Sequence, residues 1–386
     1  MDDVESRLRD VLGDPGRTVP PGDLADRVHR GVAVRRRRRR ALALAAAACA
    51  VALAVAVPVA WRQVGGQGTT VANSVNGFGD LVDIPGSVAF AGETSDGGDF
   101  FPEAVGEDGS VLGRAGKGLW ETGPEGAGPL RPLNAVSGAA PAIGPGVRVW
   151  PGTNFVAPLY CRDQNGTTTV MENMVGTPLW VSGGTIVGSD TTLRPWTAKG
   201  CAKGAAVPGA SGEAVAFSYP DLFVVDPFKA DGLRQVDVES GALVAERPLP
   251  EGVNVRTGAD RWQLWLGAAN RDTFAWVVDG VLRTADRADW RVTEGPRVPP
   301  AEEMDWSGRV QLADGRSLNT YPHLSGRLTA GDRLIVYTAG KIPGGWRSLV
   351  YDPRSGQSFE FQGVAYAAGD WLLWNDGASY RLARVR

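Results

Sequence analysis

Two histidines, three cysteines and five lysines (Lys117, Lys199, Lys203, Lys229, Lys341) are all that the 386-residue chain holds of those types. Beyond residue 62 there is one histidine, His323, in "NTYPHLSGR". That excludes a multi-histidine zinc or copper centre and leaves one candidate for a Ser-His-Asp device. No Gly-x-Ser-x-Gly elbow and no Gly-x4-Gly-Lys-Ser/Thr loop accompanies it, so His323 reads as a loop residue. The carboxylates at Glu302, Glu303 and Asp305 and at Asp96 and Asp99 are sequence neighbours on loops. The Asp96–Asp99 run alone offers too few oxygens for a calcium cage. No catalytic, metal or cofactor-binding residue is expected, and the chain reads as non-enzymatic.

What is abundant is punctuation: 52 glycines and 26 prolines, about a fifth of the chain. That is too much for a helical bundle and fits short strands joined by turns. Charge is uneven. Residues 1–40 carry a net +4, Arg62 is the only charge in 41–62, and residues 63–386 carry a net −8.

Arg35, Arg36, Arg37, Arg38, Arg39 and Arg40 form an unbroken run of six arginines, and Ala41–Ala60 follows with no polar side chain but Cys49. Twenty residues at about 1.5 Å each make a helix of about 30 Å, the thickness of a hydrocarbon core. Arginines stay cytoplasmic, which places the N-terminus inside and the body outside. Six arginines against such a stretch are a topology signal and an anionic-lipid contact rather than a nucleic-acid grip. Cleavage as a signal peptide, near Ala54–Ala56 or Ala60, and acylation at Cys49 stay open as alternatives. The expected order is a cytoplasmic tail (1–40), a single membrane helix (41–61), a linker (62–74) and an extracytoplasmic domain (75–386).

In the tail, Val4, Leu8, Val11 and Leu12 and then Leu24, Val28 and Val32 recur at helical spacing, giving two short amphipathic helices. The order of acidic helix, "PPGDLADRVHRGVAVRRRRRR", Ala/Val/Leu span and Gly/Pro-rich exterior resembles actinobacterial single-pass membrane proteins. Some of these accompany sigma factors as anti-sigma regulators, which implies a cytoplasmic regulatory partner. Their zinc-binding type carries His-x3-Cys-x2-Cys. Residues 1–40 hold His29 and no cysteine, so no residue role carries over.

The body reads as all-β. The pattern predicts strands at Gly146–Trp150, Leu179–Ser182, Ala214–Tyr219, Leu222–Asp226, Arg234–Val238, Phe274–Val278, Leu334–Thr338, Ser348–Asp352 and Asp370–Trp374. Asp108-Gly109, Asp231-Gly232, Asp279-Gly280, Asp314-Gly315 and Asp376-Gly377 are tight-turn pairs. "RQVDVESGALVAERPLP" and "SLVYDPRSGQSFEFQGV" share strand, Asp-x-x-Ser-Gly, strand. Asp237, Ser240 and Gly241 match Asp352, Ser355 and Gly356, as hairpin connectors with the aspartate bonding turn amides and the glycine at positive φ. This succession resembles the blades of WD-repeat and quinoprotein-type β-propellers. The resemblance implies six or seven blades, with stacked β-sandwiches as the alternative. Quinoprotein blades end the motif in a docking tryptophan, where Glu246 and Phe361 stand here, so no quinone is expected.

Tryptophans three apart (Trp262/Trp265, Trp371/Trp374) fall on opposite faces of a strand, which suits packing between sheets better than one binding platform. Cys161 and Cys201, the two cysteines beyond the apolar stretch, read as one disulfide securing a long polar insertion, with a reactive thiol pair as the alternative. The chain is thus expected to be a membrane-anchored, extracytoplasmic propeller that binds an unidentified protein or envelope ligand. The net −8 favours a cationic or neutral partner over nucleic acid. An extracytoplasmic hydrolase or quinone-type dehydrogenase, and an anti-sigma-like regulator, stand as the other readings.

Overall fold

The computed structural model describes residues 77–137, 140–152, 158–171, 175–189, 194–225, 232–249, 267–299, 308–311, 317–320, 326–342, 345–375 and 379–386. Several expectations fall on other residues. The six arginines of the topology signal, Arg35, Arg36, Arg37, Arg38, Arg39 and Arg40, lie outside the described residues. So do the two tail helices, the expected membrane helix at 41–61, the linker at 62–74, Trp262/Trp265, Glu302–Asp305 and His323. Among the described residues no helix is long and apolar enough to cross a membrane, and the one α-helix is Phe78–Leu81.

The rest is strand and turn. The strand β1 (Val88–Ala91) comes first. Sheet 1 is β2 (Phe100–Val105), β3 (Val111–Ala115), β4 (Gly118–Glu121) and β5 (Arg131–Val136). Sheet 2 is β6 (Ala142–Gly144), β7 (Val147–Pro151), β8 (Leu159–Asp163) and β9 (Thr168–Met171). Sheet 3 is β10 (Val175–Ser182), β11 (Thr185–Ser189), β12 (Pro195–Lys199) and β13 (Ala205–Ala206). Sheet 4 is β14 (Glu213–Ser218), β15 (Asp221–Val225), β16 (Leu233–Asp237) and β17 (Leu243–Arg247). Sheet 5 is β18 (Gly267–Ala269), β19 (Thr273–Val278), β20 (Val281–Asp286) and β21 (Val292–Arg297). A separate hairpin, β22 (Gly308–Gln311) and β23 (Ser317–Thr320), precedes sheet 6. Sheet 6 is β24 (Gly326–Ala330), β25 (Ile335–Ile342), β26 (Gly345–Tyr351) and β27 (Ser358–Gln362). Sheet 7 begins with β28 (Ala365–Ala368), β29 (Trp371–Asn375) and β30 (Ser379–Arg384).

Sheets 1 to 6 are four-stranded antiparallel meanders in chain order. Sheet 7 takes its fourth strand from the other end of the domain: β1 pairs with β30, Val88 opposite Leu382 and Ala91 opposite Ser379. All nine strand segments expected from the sequence overlap observed strands. The first strands of successive sheets touch in series, β2, β6, β10, β14, β18, β24, β28, and β28 also touches β2. The domain is all-β and propeller-like.

Seven apolar clusters lie between the sheets. Leu112 and Leu119 meet Ile143 and Trp150 between sheets 1 and 2, and Val149 and Leu159 meet Ile186 and Ala198 between sheets 2 and 3. Val187 meets Phe217 and Leu222 between sheets 3 and 4. Phe223 and Val225 meet Phe274 and Trp276 between sheets 4 and 5. Leu282 meets Ile335 and Tyr337 between sheets 5 and 6. Val336 and Phe361 meet Leu372 and Trp374 between sheets 6 and 7, and Leu373 and Trp371 meet Phe100 and Val111 between sheets 7 and 1. Trp371 and Trp374 thus face opposite neighbours, as their odd spacing requires.

Burial on both faces explains one departure from simple alternation. Middle strands such as Leu222–Val225 and Trp371–Trp374 are continuously buried, because each face meets another sheet. Alternation survives on fourth strands such as Ser358–Gln362, where every second residue is exposed.

The disulfide joins Cys161 and Cys201, with Cα atoms 5.4 Å apart. The segment between them is not an insertion. It holds β9 to β12, so the bridge links the third strand of sheet 2 to the turn after the third strand of sheet 3. Cys161 belongs to the apolar cluster between those sheets, and the half-buried Cys201 packs against it. In the chain-entropy model, closing a loop with a sequence separation of 40 contributes about 4 kcal/mol. Reduction should lower unfolding stability by about 2–4 kcal/mol, read as a shift of the denaturant midpoint. Thiols that react fully in the native, unreduced protein would contradict the bridge.

Candidate functional site

A meander puts its 1–2 and 3–4 turns at one end of each sheet, and its 2–3 turn and the link to the next sheet at the other. At the first of these ends the 1–2 turns are laced together. The Asn270 side-chain amide donates to Gly331 O at 2.8 Å, and Asp332 N donates to Gly369 O at 2.6 Å. Glu107 accepts from Ser182 Oγ at 2.6 Å and from Gly183 N at 2.9 Å, tying sheet 1 to sheet 3. Ser182 Oγ also accepts from Tyr219 N in sheet 4 at 3.2 Å. Gly183 sits at φ +56°, and a Cβ there would lie 2.8 Å from the Tyr219 ring, so the crossing needs glycine.

The expected connectors are both 3–4 turns. Asp237 Oδ1 accepts from Ser240 N at 2.7 Å and Ser240 Oγ at 2.8 Å, and Gly241 stands at φ +71°. Asp352 accepts from Arg354 N at 3.0 Å and Ser355 Oγ at 2.7 Å, and Gly356 stands at φ +72°. Asp352 is fully buried and also takes Arg333 Nη2 at 2.7 Å. Burial pushes its carboxyl up, but the bonds from Arg333, Ser355 and the Arg354 amide outweigh that and hold it below the usual carboxylate range.

Two further members of the set escape the Asp-x-x-Ser-Gly pattern. Asp163 accepts from Asn165 N and Thr167 N at 2.9 and 2.8 Å, with Gly166 at φ +82°. Asp286 accepts from Ala288 N at 2.8 Å, but the positive-φ position is Trp290, at +58°. A tryptophan there costs on the order of 1–2 kcal/mol relative to glycine. Its ring is anchored against Phe274 at 5.6 Å, beneath the Arg247 guanidinium.

Beside the Trp290 turn opens a cleft of about 460 Å³. Arg271 and Asp272 come from the 1–2 turn of sheet 5, Arg287 and Arg291 from its 3–4 turn, and Arg354 from the 3–4 turn of sheet 6. Thr273, Thr284 and Thr293 supply hydroxyls, and Asp286 is the second acid. Arg287 is 9 % exposed and pairs with Asp221 of sheet 4. It donates to Asn270 O at 2.5 Å and lies over the Phe223 ring at 5.2 Å. Arg354 pairs with Asp272 at 2.9 Å.

The opposite end gathers different chemistry. Glu103 lies where the register of β2 slips between Pro102 and Ala104, a bulge that re-aims its side chain. It takes Arg114 Nε at 2.9 Å, and its main-chain carbonyl accepts from Arg327, which lies over the Tyr366 ring at 5.4 Å. At the same end Phe101 and Trp346 pack in a tilted pair, 5.1 Å between centroids. Burial pushes the Glu103 carboxyl up against the opposing pull of Arg114 and Arg327. At the start of β14, burial alone pushes Glu213 up to about 7.

Among the expected acids, Asp96 accepts from Thr94 Oγ at 2.5 Å inside a tight turn. Among the described residues no group of three metal-binding side chains occurs.

No protein-family model and no curated protein matches the chain. Solved structures with a similar chain path include PorZ, a surface component of the type-IX secretion system of Porphyromonas gingivalis, at 10 % identity and a TM-score of 0.45. That match covers 78 % of this chain but only 39 % of PorZ. BamB of Moraxella catarrhalis shares 14 % identity, with 77 % of this chain and 98 % of that one covered and a TM-score of 0.35. Prp20p of Saccharomyces cerevisiae shares 13 %, over 74 % and 82 %, with a TM-score of 0.42. Nothing about function follows from these likenesses.

Two measurements probe the two ends. Asp352→Ala removes the acceptor for Arg333 and Ser355 and should cost on the order of 2 kcal/mol in unfolding stability; an unchanged denaturant midpoint would contradict that bonding. Glu213 has a folded pKa above its unfolded one. Its favourable contribution is therefore complete below about 4.5 and lost as pH rises through about 7. Glu213→Gln should abolish this loss, worth on the order of 3 kcal/mol, and make the variant the more stable protein at pH 8. Parallel stability–pH curves for the two proteins would contradict the raised carboxyl.

Proposed function

We propose that sheets 1 to 7 close into a seven-bladed β-propeller. On this reading the propeller is a non-enzymatic binding or sensor module held outside the cell membrane by one N-terminal span, residues 41–61. An open row of seven sheets has six interfaces between neighbours. Seven clusters, the last joining sheet 7 to sheet 1, support a ring. A ring whose sheets are buried on both faces leaves its two ends for recognition. The observation that carries the binding reading is the cleft on the laced end, where Arg287, held by Asp221, and Arg354, paired with Asp272, meet hydroxyls. Preorganised polar groups around a concave surface suit recognition of an outside protein or envelope ligand.

The disulfide supports an oxidising exterior, and the arginine run (Arg35, Arg36, Arg37, Arg38, Arg39, Arg40) against Ala41–Ala60 supports the orientation. A cytoplasmic partner for residues 1–40 belongs to the same reading. One observation favours an extracytoplasmic enzyme instead: a carboxyl raised to about 7, as at Glu213, has the range of a general acid.

A reporter active only outside the membrane should be active when fused after Arg386 and silent when fused ahead of Arg35. Neutral replacement of all six arginines from Arg35 to Arg40 should scramble the orientation, and the reverse pattern would overturn the anchoring. The immobilised full-length chain should retain a component of the cell-envelope fraction and convert none. Turnover that Glu213→Gln abolishes would establish the enzyme reading.

A further inference from the structure

We propose that the cleft between the turns of sheets 5 and 6 binds a small anionic ligand through oxyanion groups, phosphate or carboxylate. This deepens the binding reading above and rests on it.

The charge balance of the lining comes first. Four guanidinium groups (Arg271, Arg287, Arg291, Arg354) face two carboxylates (Asp272, Asp286). Asp286 is engaged by its own turn amide and Asp272 by Arg354. Arg271 has no acidic partner among the described residues, and the largely exposed Arg291 reaches Asp289 only at 4.0 Å. With Arg287 held by Asp221 and Arg354 paired with Asp272, the Arg271 and Arg291 heads remain to take a ligand, and the other two arginines form the walls. Guanidinium forks match phosphate and carboxylate oxygens in pairs, which an ammonium does not.

The walls are built before any ligand arrives. Arg287 is clamped by Asp221, Asn270 O and the Phe223 ring, and its buried Nε–H has no hydrogen-bond partner. A buried donor without a partner is a deficit that folded proteins avoid. The turn carrying Arg287 and Arg291 also departs from its counterparts. Where sheets 2, 4 and 6 place Gly166, Gly241 and Gly356, sheet 5 holds Trp290 in the left-handed region. Its ring packs against Phe274 and pins the turn to the core. Strain kept in a bulky residue beside a cavity accords with a turn held for recognition.

A volume of about 460 Å³ lies within the ordinary range for small-molecule pockets. The net charge of −8 beyond residue 62 does not oppose this. At about 0.1 M salt, charges more than about 10 Å away are largely screened, so the lining sets the local field.

The test is calorimetric titration of the full-length chain in detergent with pyrophosphate and, separately, with citrate. Saturable binding is expected from at least one probe, weakened at high salt. Arg271→Gln and Arg291→Gln should each weaken it at least fivefold, whereas Arg131→Gln, an exposed arginine of sheet 1, should leave it unchanged. Pyrophosphate alone assigns phosphate, citrate alone assigns carboxylate, and both together assign charge without further choice. Binding of neither probe, or binding as tight in both cleft variants as in the wild type, would overturn the proposal. Retention of an envelope component by the immobilised chain is a separate readout. It can succeed while both titrations fail, which separates the fate of this site from that of the binding reading.

Discussion

The pairing of Val88–Ala91 with Ser379–Arg384 is the constraint on which the remaining order rests. Without β1, sheet 7 has three strands, and the apolar face that Leu382 and Tyr380 share with Phe100 and Trp120 loses its cover at the edge. Phe90 belongs to that contact, stacked on Tyr380 and edge-on to Phe100. A few residues near the start of the domain therefore hold its last sheet against its first. Arg386 and Asp83 pair at 2.8 Å just beyond the strands and extend the same seam.

Mutual burial of the sheets then sorts the side chains. A sheet covered on both faces has no polar face, so its middle strands become unbroken apolar runs and its rings divide between two neighbours. Polar residues collect where the chain turns. That is why Glu107, Asp237, Asp286, Arg287, Asp352 and Arg354 find their partners in or next to turns, while pairs such as Glu103 with Arg114 and Glu121 with Arg148 are made between strands. Apolar packing and polar bonding are thus largely separated along each strand.

Strand positions were legible because Asp-Gly pairs and short apolar runs report local geometry. The Asp-x-x-Ser-Gly turns were legible where serine and glycine both remain, at Asp237 and Asp352. Asp163 and Asp286 do the same work with Asn165, Gly166 and Trp290 in the other places, and a residue pattern misses them because the backbone, not the side chain, defines the turn. The disulfide partners were readable by count. What they join was not, since a polar, glycine-rich stretch looks like an insertion until its strands pair. The cleft was invisible for the same reason. Arg271, Arg287 and Arg354 span more than eighty positions, and only the stacking of sheet 6 on sheet 5 brings them to one place.

The partner of β1 is the last of the described strands in chain order. Ribosomes add about 5–20 residues per second, so roughly 15–60 s separate the appearance of Val88–Ala91 from that of Ser379–Arg384. During that interval the opening strand is an unsatisfied edge, while sheets 1 to 6 complete themselves from neighbouring segments. Its brevity, four residues, limits what else can pair with it in the meantime. The length of β1 thus has a temporal meaning: a short strand can wait.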